Sequence, residues 1–396
     1  MELVKLLLIA SLTTLIIGQL VRIPLFSQFG AITVTDVLVL ATDVVFLFLA
    51  FLKKRLIVPV KIFFPSLLFI LAAISSSFLS LNYFSPIQVS VSALFLIRFI
   101  IYLLIAIVVA NTISQKKVGS WLNLLLVIGF LFMLVGFLQL IIIGDLSFLT
   151  VYGWDPHQRR IVSTFLDPNF SGWVFVLLLS LTIGLYYKTK ARLYLPFLAL
   201  VIVAVILTFS RSTYLAAATA ALVIGILKSP KIIIATLLIF TFAFLSINET
   251  RERIIGAFTL DETAKARLES WSNALKITKE KPLFGVGFNN YRYAQVQRGF
   301  FTSDNPYGGH SGSGSDSSVL LVLATTGIFG LIFFLFLLLS IFQILKIKAK
   351  HNFLSLATLA AFLGLLVHSQ FVNSLFFPQI MLLFWFILGL NLTHDS

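Results

Sequence analysis

Residues 89–111 read VSVSALFLIRFIIYLLIAIVVAN, an apolar stretch that contains a single charged residue, Arg98. An α-helix needs about 20 apolar residues to cross the hydrocarbon core of a bilayer, so this stretch predicts a transmembrane helix. Further apolar runs predict the same structure, and they lie near residues 3–21, 31–52, 62–82, 121–143, 170–187, 193–209, 212–227, 232–247, 317–344, 353–373 and 375–392. The pattern as a whole predicts about twelve transmembrane helices.

The composition indicates the same class of protein. Hydrophobic residues make up 59% of the 396 residues and charged residues only 11%, whereas about a quarter of the residues in a soluble domain are charged. The chain has no Cys, which excludes disulfide bonds, thiolate catalysis and thiolate metal sites. We therefore predict an all-α fold, a polytopic transmembrane helical bundle that forms a single membrane domain over residues 1–396.

Lys and Arg are distributed unevenly between alternate short loops. One set of loops contains Lys53, Lys54, Arg55, Lys61, Lys116, Lys117, Lys188, Lys190, Arg192, Lys228, Lys231, Lys346, Lys348 and Lys350. The other set contains only Arg22, Arg159, Arg160 and Arg211. Because cytoplasmic loops carry the excess of positive charge, both termini are predicted to be cytoplasmic. This bias also accounts for the net charge of +14 without a nucleic-acid partner.

Two polar segments, 144–169 and 248–316, then fall on the extracytoplasmic side as loops inserted in the membrane domain. The longer one is unusual for a compact protein, and loops of that length are usually functional. Within it, residues 261–280 predict a helix, with Asp261 as the N-cap and Pro282 just after the last turn. The extracytoplasmic loop is therefore expected to be partly helical.

Five short motifs lie in or beside these segments. They are STFLDPNFSG (163–172), TFSRSTYL (208–215), Arg267 with Trp271 four residues later, KPLFGVG (281–287) and TGIFGL (326–331). Their order, spacing and shared placement resemble the O-antigen ligase and O-antigen polymerase superfamily of bacterial membrane proteins.

The resemblance implies a metal-independent glycosyltransferase without a cofactor, in the bacterial cytoplasmic (inner) membrane. Its expected donor is a glycan on a polyprenyl diphosphate, and its acceptor is a hydroxyl of a glycan, of lipid A core or of a protein. The diphosphate needs a permanent, bidentate cation, which suits Arg. We assign that role to Arg211 and Arg267, with Arg160 as a helper.

The acceptor hydroxyl needs a base. Members of the superfamily often have a His eleven residues before the first glycine of the last motif, which is Gly327 in this sequence. Here that position is Asp316. We assign the catalytic base to Asp316, with His310 as the second choice.

Arg98 lies within a predicted transmembrane helix, where a charge is costly. Two interpretations stay open: a contact with the lipid diphosphate, or an ion pair with Asp43 of the second helix. Asp36, seven residues before Asp43, is expected to share its helix face or to cap that helix.

Two other functional classes stay open. A flippase or transporter of lipid-linked glycans usually has two related halves with sites on broken helices at the midplane, and the sequence shows no internal repeat. A non-catalytic assembly factor for envelope glycans would use the long charged loop to bind a partner. The sequence does not separate ligase from polymerase.

Overall fold

Helices form most of the chain in the computed structural model, which describes residues 1–25, 30–54, 56–301, 312 and 314–393. The α-helices are α1 (Glu2–Thr13), α2 (Val34–Lys53), α3 (Val60–Ser80), α4 (Pro86–Thr112), α5 (Val118–Ile142), α6 (Pro168–Thr189), α7 (Tyr194–Leu207), α8 (Arg211–Leu227), α9 (Lys231–Ser246), α10 (Asn248–Phe258), α11 (Glu262–Glu280), α12 (Tyr291–Gln297), α13 (Ser318–Ala349), α14 (Phe353–His368) and α15 (Pro378–Asn391). Two short antiparallel strands, β1 (Arg22–Leu25) and β2 (Gly30–Thr33), pair Arg22 with Thr33.

The prediction of an all-α membrane protein is confirmed, and each predicted apolar segment is helical over most of its length. In the described part of the chain, the spans long and apolar enough to cross a bilayer are Val34–Lys53, Val60–Ser80, Pro86–Thr112, Gln115–Ile142, Pro168–Thr189 and Ser318–Ala349. Helices α9 and α10, bent by 100°, form a seventh span if they are counted together. Helices α7, α8, α14 and α15 are apolar but shorter, so the count of twelve crossings stays a prediction.

Large apolar side chains cover the outer surfaces of several helices. Phe51 is 79% exposed, Phe78 is 71% exposed and Ile141 is 79% exposed. A soluble protein rarely leaves so many bulky apolar groups in water. Lipid is therefore the solvent that these surfaces require.

The described residues form two compact units. Unit 1 takes in the ranges 1–125, 270–341 and 376–396, and unit 2 takes in 126–269 and 342–375. In unit 1, helix α15 packs on α4, and in unit 2 helices α6, α8 and α14 pack together.

Small residues permit the close helix contacts of unit 2. A Cβ atom on Gly172 of α6 would lie 2.0 Å from the hydroxyl of Thr213 in α8. A Cβ atom on Gly364 of α14 would lie 2.9 Å from the carbonyl oxygen of Ala216 in α8. Small residues at helix crossings are typical of membrane proteins, where close van der Waals packing replaces the hydrophobic effect between helices.

Two of the sequence motifs meet in unit 1. Gly327 interrupts α13 with a φ of 65°, and the backbone on both sides of it bonds to the segment 281–287. Val286 N–H donates to the carbonyl of Ala324 at 3.1 Å, and Ile328 N–H donates to the carbonyl of Pro282 at 2.9 Å. The motifs 281–287 and 326–331 therefore form one interlocked backbone turn.

Candidate active site

Asn169 joins the first two sequence motifs in unit 2. Helix α6 begins at Pro168, and Asp167 caps it by accepting hydrogen bonds from the backbone N–H groups of Asn169 and Phe170. The Asn169 side-chain oxygen accepts a hydrogen bond from Ser210 at 2.6 Å and one from Ser212 at 3.2 Å. The Pro-Asn motif therefore fixes the two serines that flank Arg211.

Arg211 is the first residue of α8. Ser210 caps this helix, since its hydroxyl accepts from the backbone N–H of Thr213 at 3.2 Å. The Arg211 guanidinium forms a bidentate pair with Asp261, with Nη1 3.0 Å from Oδ1 and Nη2 bonded to Oδ2. Its Nε donates to the backbone carbonyl of Arg253 in α10. Arg211 therefore connects α8 to α10 and to Asp261, which precedes α11.

Gly256 makes room for this ion pair. A Cβ atom at this position would lie 2.4 Å from Asp261 Oδ2 and 2.7 Å from Arg211 Nη2. The hydrogen bonds from Arg211 lower the pKa of Asp261, so this carboxylate is charged at neutral pH. Asp261 also accepts from the backbone N–H of Ala264 at 2.9 Å, which confirms its predicted role as the N-cap of α11.

Arg160 stabilises the turn between α7 and α8. Its Nε donates to the carbonyl of Thr208 at 2.8 Å, and its Nη2 donates to the carbonyl of Phe209 at 3.0 Å. Phe209 has a φ of 45°, a left-handed conformation that costs about 1 kcal/mol for a residue with a side chain. Burial, followed by the charge of Arg253, lowers the pKa of Arg160 to about 10, so its guanidinium is still charged at neutral pH.

A cleft of about 230 Å³ opens beside these arginines in unit 2. It is lined by Gln158, Arg160, Phe209, Glu249, Glu252, Arg253 and Asp261. Positive and negative side chains thus face the same space. Such a lining can bind phosphate oxygens through guanidinium groups and hydroxyl groups through carboxylates and amides.

Arg253 is the functional candidate that the sequence reasoning missed. It lies in α10, which follows the bend after α9 and was predicted only as part of a long loop. Among the described residues, Arg253 makes no ion pair, although Glu249 and Glu252 line the same cleft. The charged run NETRER (248–253), directly after an apolar helix, is the only signal in the sequence that could have indicated it.

Arg267 lies half-buried in α11, within the part of that helix that belongs to unit 2. Its positive charge helps to lower the pKa of Arg160, although burial and the charge of Arg253 have larger effects on that pKa. Hydrogen bonding and a shared cleft bring Arg160, Arg211 and Arg253 together, and the charge of Arg267 acts on Arg160.

His157 adds a neutral ring to the same region. Burial lowers its pKa to about 4, the charges of Arg160 and Arg253 act in the same direction, and Asp167 opposes them. Its Nε2 atom has no hydrogen-bond partner in the described part of the chain. The imidazole is therefore uncharged at neutral pH and does not add to the positive charge of the cluster.

Asp316 lies in unit 1, just before α13. Its backbone N–H donates to the hydroxyl of Ser270 at 2.9 Å. At the start of α13, the hydroxyl of Ser317 accepts a hydrogen bond from the backbone N–H of Leu320 at 3.3 Å. Burial raises the pKa of Tyr291, and the charge of Asp316 acts in the same direction. The alternative base, His310, lies outside the described residues.

Arg98 pairs with Asp36 and not with Asp43, so the ion pair expected with Asp43 is wrong. Its Nη2 lies 2.9 Å from Asp36 Oδ2 and donates to the carbonyl of Ala31 at 2.5 Å. Asp36 also receives a hydrogen bond from Tyr102 at 3.0 Å and forms the capping box of α2. The alternative reading of Arg98, as a diphosphate ligand, stays a prediction.

Residues 195–335 match the model of the family described as O-antigen ligase. This segment of the chain is therefore similar to O-antigen ligases. The resemblance inferred from the motifs is thereby confirmed. The matched segment includes Arg211, Arg253, Asp261, Arg267 and Asp316, whereas Arg160 and Asn169 precede it. No curated protein matches the chain.

Proposed function

We propose that this protein transfers or polymerises glycan from a polyprenyl-diphosphate-linked donor, at the extracytoplasmic face of the bacterial cytoplasmic membrane. The observation that carries the proposal is that Arg160 and Arg253 line one cleft beside the Arg211–Asp261 pair, close to a segment that resembles O-antigen ligases. The charge of Arg267 also acts on Arg160. The positive-inside bias puts both termini in the cytoplasm and the segments 144–169 and 248–316 outside.

The chemistry is a displacement at the anomeric carbon of the donor sugar. The acceptor hydroxyl oxygen forms the new bond to that carbon, the bond from carbon to the diphosphate oxygen breaks, and polyprenyl diphosphate leaves with the electron pair. Negative charge grows on the leaving group in the transition state. Guanidinium groups stabilise that charge. Arg211 binds the phosphate by exchanging Asp261 for phosphate oxygens in the same bidentate geometry.

In this mechanism Arg211 and Arg267 bind the diphosphate, and Arg160 assists while it stabilises the turn that carries Arg211. The proton of the acceptor hydroxyl passes to a base, for which we propose Asp316, with His310 as the second choice. The substitution Asp316→Asn tests the role of Asp316 as the base, because it keeps the size of the side chain and removes its basicity.

The test uses the purified protein in proteoliposomes, a polyprenyl-diphosphate glycan donor and a glycan acceptor. Arg211→Ala and Arg267→Ala should each lower the transfer rate by about 100-fold or more, since removing one donor to a developing oxyanion has an effect of that size. The matched control is Arg251→Ala, an exposed arginine of α10 that bonds only to Asn248 among the described residues. Full activity in the Arg211 and Arg267 variants would overturn the assignment.

A deletion strain separates the two branches of the superfamily. Loss of a polymerase leaves glycans of a single repeat, whereas loss of a ligase leaves full-length chains on the lipid carrier. Unchanged glycans in that strain would contradict both.

A further inference from the structure

Arg253 is bonded to Arg211 and also lines the cleft. Its backbone carbonyl accepts a hydrogen bond from Arg211 Nε, so α10 is anchored to α8 at this residue. Its side chain lines the cleft, and its charge acts on Arg160, His157 and Asp261. The backbone and the side chain of one residue thus have separate tasks.

Two of the other guanidinium groups make hydrogen bonds within the protein when the cleft is empty. Arg211 is bonded to both oxygens of Asp261, and Arg160 donates to two backbone carbonyls. Arg253 makes no ion pair within the ranges that the structure describes, and its charge is therefore available to an anion in the cleft.

The acidic residues of the cleft can bind the sugar of a ligand whose phosphate is bound by Arg253. Asp261 is neutralised by Arg211. Glu249 and Glu252 are exposed side chains of α10, one turn apart, and a carboxylate accepts hydrogen bonds from sugar hydroxyls. A ligand with both a phosphate and a sugar matches a cleft that presents guanidinium and carboxylate groups side by side.

We propose that Arg253 binds the phosphate of the donor that is attached to the sugar, in the cleft that it shares with Arg160 and Glu252. This inference rests on the proposed function and deepens it, because it assigns the diphosphate–sugar junction to a defined cleft. Arg253 is then a substrate-binding residue in addition to the arginines of the sequence motifs.

The test measures the binding of polyprenyl diphosphate, and of polyprenyl-diphosphate sugar, to the purified protein in nanodiscs. Arg253→Ala keeps the backbone carbonyl that Arg211 holds, so the fold should be unchanged, and thermal unfolding verifies this. We expect affinity for both lipids to fall by about tenfold or more, which corresponds to about 1.4 kcal/mol. Arg253→Lys should lose less affinity than Arg253→Ala, because lysine keeps the positive charge although it lacks the two-pronged guanidinium group.

The control is Arg251→Ala, which removes the same charge from the same helix but on its exposed side. Equal binding by the Arg253→Ala variant and the wild type would overturn the inference while leaving the proposed function intact. A wild-type protein that binds neither lipid would overturn both.

Discussion

Gly327 offers the sharpest test of how the segment 195–335 is built. Its φ of 65° and ψ of −168° lie in a region that only glycine adopts readily. A Cβ atom there would lie 2.2 Å from the carbonyl oxygen of Leu283 and 2.3 Å from its carbon. Because these are backbone atoms, no side-chain rotation can relieve the overlap.

Gly327→Ala should therefore separate the two interlocked motifs. Backbone strain contributes about 1–3 kcal/mol, and overpacking against rigid atoms adds about 1–3 kcal/mol. We expect the free energy of unfolding to fall by roughly 3 kcal/mol or more. The assay is reversible denaturant unfolding of the purified protein in mixed micelles.

Gly299→Ala separates strain from overlap. Gly299 has nearly the same φ, 62°, but an added Cβ would meet nothing within 4 Å. This variant should lose only about 1 kcal/mol. Equal losses in the two variants, or a Gly327→Ala protein as stable as the wild type, would refute the interlocked turn.

Three further outcomes follow from unit 2. Gly256→Ala pushes a methyl group into the Arg211–Asp261 pair and should lower donor affinity, measured in nanodiscs, although both charged residues remain. Asn169→Ala removes the acceptor that the hydroxyl groups of Ser210 and Ser212 share, although these two groups can still bond to each other at 3.0 Å, so the free energy of unfolding should fall by about 1 kcal/mol. The pKa of His157 is about 4 in the folded protein and about 6.5 in the unfolded chain. The stability that depends on this neutral ring is therefore fully present above pH 6.5 and is lost as the pH falls toward 4, by roughly 3 kcal/mol at most. His157→Gln should flatten the dependence of the free energy of unfolding on pH over this range.

The class of fold was predictable because it depends on composition and on the length of apolar runs. The helix at 261–280 was predictable too, since its N-cap and its terminating proline are local signals. Helix α10 was not, because its first six residues are all charged or polar and no side chain caps its N-terminus. The strand pair near the N-terminus is short and gave no alternating pattern.

The site was predictable only in part. Motif resemblance indicated Arg211 and Arg267, but the partner of a charged residue depends on the tertiary structure. Asp36 and Asp43 lie seven residues apart on one face of α2, so spacing could not tell which of them Arg98 would meet. The position of β2 decides it, because Arg98 also donates to the carbonyl of Ala31. Arg253 was missed for the same reason, since its neighbours come from distant parts of the chain.

Glycan transfer is best followed through both of its products, in proteoliposomes that contain only the purified protein, the donor lipid and an acceptor. We expect free polyprenyl diphosphate to appear in equal amount to the glycan joined to the acceptor, and Arg211→Ala to abolish both. Donor that crosses the bilayer with its diphosphate–sugar bond intact, and no joined glycan, would contradict glycan transfer and indicate a flippase.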